Sequence, residues 1–207
     1  ANAKTPTFSV RYAGKTDYVG GAGIVAKHLR AAGADVTFTT VLGDDALKDF
    51  VLDDLKAADV TVNAIVDRTR PTTNKNAFVA DGYRLLKVDT LDNRSISDRV
   101  LARMVEGIRN AATDAVVFSD FRHGIFNRGT IPTLIDAIPA GVFRVGDSQV
   151  ASRWGNILDF KNFDLITPNE KEARFALADQ DSVVRPLGSR LYREAGCKVL
   201  MLKLGAR

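Results

Sequence analysis

The chain has 207 residues, 45% of them hydrophobic and 26% charged, and its 29 Lys and Arg exceed its 25 Asp and Glu to leave a formal charge of +4. That balance fits a globular protein long enough to bury a full core, and it excludes the disordered, collagenous and disulfide-built classes. The basic residues form no run of four or more, so no nucleic-acid footprint is expected, and no apolar run approaches the ~20 residues of a membrane span.

The N-terminal ANAKTPTFSV lacks the charged and apolar regions of a signal peptide. The single Cys197, set in CKVLMLKL, permits no internal disulfide. A buried, inert thiol and a reducing, cytoplasmic location are therefore expected.

From Ala22 to Ala32, Val25, Leu29 and Ala32 fall at helical spacing, Gly33 supplies a left-handed stop, and ADVTFTTVL then alternates as a strand. Asp44 or Asp45 caps a second helix carrying Leu47, Val51 and Leu55, and VTVNAIV returns to period two. NKNAFVA and YRLLKVD flank Asp81 and Gly82, a dipeptide suited to a two-residue hairpin. A helix capped near Ser97 carries Leu101, Met104, Val105 and Ile108, and the continuous run AVVF reads as a strand buried on both faces. A helix with Leu134, Ile135 and Ile138 follows, then strands VFRV and DLI, a helix opening at Pro168, another ending at Gly196, and the strand KVLML. Strands alternating with helices imply a parallel sheet wound right-handedly, interrupted by one antiparallel excursion.

Open sheets of this kind bind ligands beyond the carboxyl ends of their strands. Those exits carry Gly43 and Asp44, Ser119 and Asp120, Asp147, Thr167 and Asn169, and Leu204 and Gly205. In GGAGIVAKHL, Gly21, Gly23 and Ala26 match the glycine spacing of a dinucleotide-binding turn. The preceding GKTDYV is a poor strand, however, and the following strand ends in threonines with no acidic residue for a ribose. A nicotinamide-dependent oxidoreductase rests on those glycines alone. Gly20 and Gly21 equally fit close approach to a small polar ligand at a helix N-terminus, or a plain tight turn into a helix.

In SDFRHGIF a strand delivers Asp120 to the sheet edge with Arg122 and His123 just beyond, which suits a polar ligand or, equally, an Asp that caps its own turn. Only His28 and His123 occur and Cys is not clustered, which argues against zinc, and there is no Gly-x-Ser-x-Gly elbow or Walker loop. In TPNEKEARFAL, Asn169 and Glu172 share one face of a first helical turn, where they could order magnesium and its waters or simply cap the helix.

Taken in order over Val19 to Leu204, six segments resemble the ribokinase-like (PfkB) carbohydrate kinases, and within them the kinase domains of the bacterial heptose-7-phosphate kinase and adenylyltransferases. They are GGAGIVAKHLRAAGADV, the VLGDD exit, RPTTNKNAFVADGYRLLKVD, VVFSDFRHGIF, the Asp147 exit and LITPNEKEARFAL. The resemblance implies a ribokinase-like three-layer α/β sandwich with a mostly parallel sheet and a small antiparallel β lid, its strands within about 5–19 and 60–90. The lid covers the sugar and contacts a second copy in a homodimer, a role that also suits the apolar Phe78, Val79, Tyr83, Leu85 and Leu86 on both faces of the hairpin.

The resemblance further implies that ATP with Mg2+ donates a phosphoryl group to a hydroxyl of a sugar or sugar phosphate. Carried over residue by residue, Gly20, Gly21, Gly23, Lys75 and Asp120 bind substrate, Asn169 and Glu172 influence the metal, and Lys203 and Gly205 begin the nucleotide loop. The chain departs from the family at Ile24, where Asn usually follows the glycines, at His123, where Lys is common, and at Asp147, Ser148 and Gln149, which replace Asp-Pro-Lys. These departures suggest a different substrate, or a non-catalytic sugar-binding or regulatory module on the same fold. The resemblance begins after the family's first strand and stops before its Gly-Ala-Gly-Asp segment, the source of the anion hole and base. Residues 1–207 are thus expected to form one partial domain without an assignable catalytic residue, unable alone to phosphorylate a sugar.

Overall fold

The structure, a computed structural model, describes residues 9–150 and 155–206. Helix α1 (Gly21–Ala31) leads to β1 (Thr37–Leu42), α2 (Ala46–Ala57) and β2 (Thr61–Val66). The hairpin β3 (Asn74–Ala80) and β4 (Tyr83–Thr90) follows, then α3 (Asp98–Arg109), β5 (Ala115–Asp120), α4 (Ile131–Asp136) and β6 (Phe143–Ser148). A 3-10 turn at Ile157–Asp159 precedes β7 (Leu165–Ile166), α5 (Glu170–Leu177), α6 (Val184–Ala195) and β8 (Val199–Leu200).

Local chemistry sets most of these boundaries as expected. Asp45 caps α2 by accepting from Lys48 N, Ser97 caps α3 by accepting from Val100 N, and Gly196 ends α6 in the left-handed conformation that glycine adopts without a Cβ clash. Asp81 and Gly82 both take positive φ, as the tight hairpin turn requires.

Apart from the hairpin, all strand pairing among the described residues is parallel. β1 pairs with β2 from Thr37↔Thr61 to Leu42↔Val66, and β5, β6, β7 and β8 form a four-stranded ladder in chain order. Ile65 of β2 and Phe118 of β5 lie in one buried cluster with Leu134, Ile166, Leu187 and Leu191, so both ladders cover the same core. Helix α1 packs against β1 and β5, and α3 against β1, β2 and α4.

Four expectations need correction. No strand occurs in residues 9–19, because VRYAGKTDYV mixes Gly14 with an exposed Lys15–Asp17 pair and has no apolar alternation to bury; residues 5–8 lie outside those described. β2 belongs to the parallel ladder, since its Ile65 is needed in the core, and the lid is confined to β3 and β4. β5 is not buried on both faces: it is the edge strand of its ladder, and Val117 stays 38% exposed. Pro168 stands outside α5, where Asn169 is the cap and Glu170 the first helical residue, because the Pro168 carbonyl accepts from Lys203 N and prolongs the β7–β8 pairing.

The centre of the core is aromatic. Phe160, fully buried, contacts Phe126, Phe163 and Phe118 with ring centroids 5.9, 5.5 and 6.1 Å away. Gly146 on β6 makes room for it, since a Cβ there would stand 3.1 Å from Phe160 Cβ. Truncating Phe160→Ala is expected to cost about 3–5 kcal/mol through lost burial and the cavity left behind, read as a lowered midpoint in urea unfolding.

Candidate functional site

A parallel ladder brings all its carboxyl ends to one edge, and here that edge collects most of the charged side chains singled out above. Asp120 of β5 and Ser148 of β6 are register partners, as are Ser119 and Asp147. Asp120 is buried, and each of its oxygens accepts one hydrogen bond. Its Oδ1 accepts from Arg122 N at 2.8 Å, and its Oδ2 accepts from Ser148 Oγ at 3.1 Å. Arg122 Nε lies 2.8 Å from Oδ2 but off the hydrogen-bond line, a purely electrostatic contact.

Arg122 Nη2 donates to Ser148 Oγ at 2.8 Å and lies 3.7 Å from Asp159. Arg122 takes φ +61, an uncommon conformation for a long side chain, and a Cβ on Gly155 would collide with its guanidinium. Burial pushes the Asp120 carboxyl up while Arg122 pulls it down. Asp120 thus caps its own turn and holds an internal ion pair.

At the exits of β6 to β8 a second cluster forms. Asp147 Oδ1 accepts from Thr167 Oγ1 at 3.0 Å and faces Lys203 Nζ at 2.9 Å, joining three strand exits. Beside them Asn169 and Glu172 form a reciprocal cap: Asn169 Oδ1 accepts from Glu172 N at 2.9 Å, and Glu172 Oε2 accepts from Asn169 N at 2.7 Å. Glu172 is buried, and that burial, opposed by the Asn169 N–H, raises its carboxyl above the ordinary range, with Asp147 adding to the rise and Lys203 opposing it. Gly205 has φ +71 and open space around it.

The glycine turn lies near β5, because a Cβ on Gly21, which has φ +55, would touch Phe121 at 3.9 Å. Gly20 caps α1 without side-chain help and is exposed. Gly23 is dictated by packing, since a Cβ would press on Val19 Cγ1 at 2.5 Å, so it needs no ligand to explain it. No strand precedes α1 among the described residues.

A clamp that linear reading missed holds the base of the lid. Asp67 and Arg70 form a buried pair at 2.9 Å, and Arg70 donates to the carbonyls of Arg94 and Ser95. Arg94 in turn donates to Asp92 and to the Thr69 carbonyl, holding the Asp92 carboxyl down to about 2. Ile96 N donates to Gly124 O at 3.0 Å, and a Cβ on Gly124, at φ +94, would strike the Arg94 carbonyl. His123 Nδ1 faces Asn93 Oδ1 at 2.9 Å beneath the lid. Lys75, exposed on β3, is close enough to lower the His123 titration. The sequence signal for this clamp was only a scatter of Asp and Arg around the hairpin, without periodicity to pair them.

Parallel strands with polar exits, a glycine turn beside one of them and an antiparallel lid above define a carbohydrate kinase fold. The chain belongs to the pfkB family of carbohydrate kinases, whose family model matches residues 9–207. It is 29% identical over 198 residues to the bifunctional protein HldE of Desulfatibacillum aliphaticivorans, covering 92% of this chain and 40% of that protein. It is 31% identical over 198 residues to HldE of Caulobacter vibrioides, covering 92% and 38%. The chain thus spans about two fifths of the length of the curated relatives it matches. Its fold is similar to that of phosphofructokinase-2 from Escherichia coli in complex with fructose-6-phosphate, with a TM-score of 0.71 at 18% identity over 95% of this chain and 68% of that one. Ribokinase from Giardia lamblia gives 0.70 at 15% identity over 96% and 69%.

Asp120→Asn is expected to cost about 3 kcal/mol because it leaves the buried Arg122 guanidinium with only the more distant Asp159 at 3.7 Å as counter-charge, whereas Asp120→Asn with Arg122→Met recovers most of that loss. Urea midpoints of the two variants measure the difference.

Proposed function

We propose that this chain forms part of an ATP-dependent sugar kinase, with nucleotide phosphates received at the exits of β6 to β8 and sugar between the glycine turn and the lid. The observation that carries the reading is the convergence of Asp147, Thr167 and Lys203 beside Glu172 on one sheet edge. Lys203 supplies a compact positive charge for a phosphate, and displacing it from Asp147 frees a carboxylate oxygen as the anion arrives. A magnesium ion carried by a nucleotide keeps most of its waters and needs only one or two carboxylates, which fits Asp147 first; Asn169 Oδ1 and Glu172 Oε2 are spent on each other's backbone N–H, so Glu172 would act on the ion through its waters. When bound, magnesium neutralises charge on the transferred phosphoryl group. Gly205 offers backbone approach beyond Lys203, and Gly20 and Gly21 offer backbone N–H groups to sugar hydroxyls.

No catalytic base is assigned: among the buried carboxylates, Asp120 is committed to Arg122 and Glu172 to Asn169. We accordingly read residues 1–207 as one partial domain of a cytoplasmic enzyme that binds without turning over by itself. A second reading, a sugar-binding or regulatory module, is favoured by those same internal commitments. Calorimetry with Mg-ATP separates them. For the kinase reading, binding is expected to weaken roughly tenfold or more in Lys203→Met, the loss of one phosphate contact to a cation, and to require magnesium. Sugar binding with no response to Mg-ATP at millimolar concentration would leave the module.

The lid supports a homodimer. Phe78 and Leu86 are cross-strand partners 55% and 56% exposed, with Val88 two residues on along the same face. Such an apolar surface on an isolated hairpin is covered at low cost by a second copy. Light scattering at micromolar concentration is expected to give twice the chain mass, and Leu86→Asp to give the monomer.

A further inference from the structure

The lid is two-faced at its base. The register pairs Lys75 with Asp89 and Ala77 with Lys87, and because strand side chains alternate, these four share the face opposite Asn76, Phe78, Leu86 and Val88. Lys87 and Asp89 are paired at 2.9 Å, while Lys75 makes no ion pair among the described residues. His123 lies within electrostatic reach of all three charges. It is held there at two points, by its own Nδ1 contact with Asn93 and by the Ile96 N–Gly124 O bond that ties the segment after β4 to the loop after β5. An amide oxygen can only accept, so Nδ1 carries the proton of the neutral ring and Nε2 is the atom left to meet a ligand.

Building on the sugar-kinase reading, we propose that His123 determines specificity by contacting an anionic group of the sugar, a phosphate or a carboxylate, under the lid together with Lys75, and that it does so more strongly when protonated. A neutral sugar gains nothing from a cationic pair, whereas an anion between Lys75 and the ring offsets the repulsion that the two would otherwise share. In the free chain the ring titrates below its usual range, first because it is half-buried and next because Lys75 is near; Lys87 adds to the depression and Asp89 opposes it. Asp92 and Arg94, on the segment that carries Asn93, neutralise one another. An anion reverses the main electrostatic cause and raises the midpoint. Its affinity is therefore highest below the midpoint of the free chain, falls as pH rises from there through the raised midpoint of the complex, and is level above it.

The test follows the imidazole resonances of the 207-residue chain by NMR at constant ionic strength, with the exposed His28 as internal control. The probes are gluconate and glucose 6-sulfate, anions that do not titrate near neutrality, and uncharged glucose. At least one anion is expected to raise the His123 midpoint by about one unit, equivalent to about tenfold tighter binding of the protonated form. Glucose and His28 are expected to show no such change. His123→Gln is expected to bind that anion with flat pH dependence, and Lys75→Gln more weakly at every pH. Whichever anion binds more tightly assigns the group as carboxylate or phosphate-like. An unmoved midpoint with both anions, or pH dependence that survives His123→Gln, overturns the proposal. Mg-ATP binding measured in parallel keeps the two readings apart: a nucleotide site with a silent His123 removes only this inference, and a responsive His123 without nucleotide binding removes only the kinase reading.

Discussion

Parallel pairing is the constraint on which the rest of this molecule depends. Each of β5 to β8 must enter from the same end, so each delivers its exit to the same edge, however far apart the residues stand in the chain. Asp147 and Lys203 are 56 positions apart and 2.9 Å in contact for this reason. The aromatic packing of Phe118, Phe160 and Phe163 beneath β6 fixes the ladder, and with it the separation of the exits.

Two kinds of charge pair occupy that edge, and burial separates their roles. Asp120 and Arg122 are taken almost wholly out of water, where a pair is strongly destabilised by losing either partner and has little freedom to exchange it. It works as a tie between the β5 and β6 exits. Asp147 and Lys203 are about a third and nearly half exposed, so water can replace either partner at small cost. Such a pair can open for an anion and a metal, which is what a transient phosphate site requires.

The lid obeys a similar division. Its base is pinned by Asp67, Arg70 and Arg94: Arg70 donates to Asp67 and the Ser95 carbonyl, and Arg94 to the Thr69 carbonyl, on the two sides of the hairpin. In the same part of the hairpin one face carries Phe78, Leu86 and Val88 and the other bears Lys75, Lys87 and Asp89. A hairpin with two unlike faces can serve two partners at once, one apolar and one charged.

Much of the fold was legible in the sequence wherever local chemistry suffices. Helical spacing, the caps at Asp45 and Ser97, the stop at Gly196 and the Asp81–Gly82 turn depend on residues within a few positions of each other. The order of strands and helices, and the family resemblance carried by the glycine turn and the Asn169–Glu172 segment, were open to reading for the same reason. Tertiary structure alone decided how the strands pair and which polar side chains remain for a ligand. β2 joins β1 because Ile65 is needed in a core assembled from distant segments, and β5 is left half covered because its neighbours in space, not its composition, determine what shields Val117. Asp120 reads as an open carboxylate in the chain but is claimed by Arg122, Ser148 and a backbone N–H once β5 and β6 lie side by side. A hydrogen bond or ion pair between remote residues is set by three-dimensional distance, and no linear spacing encodes that distance until the core has packed.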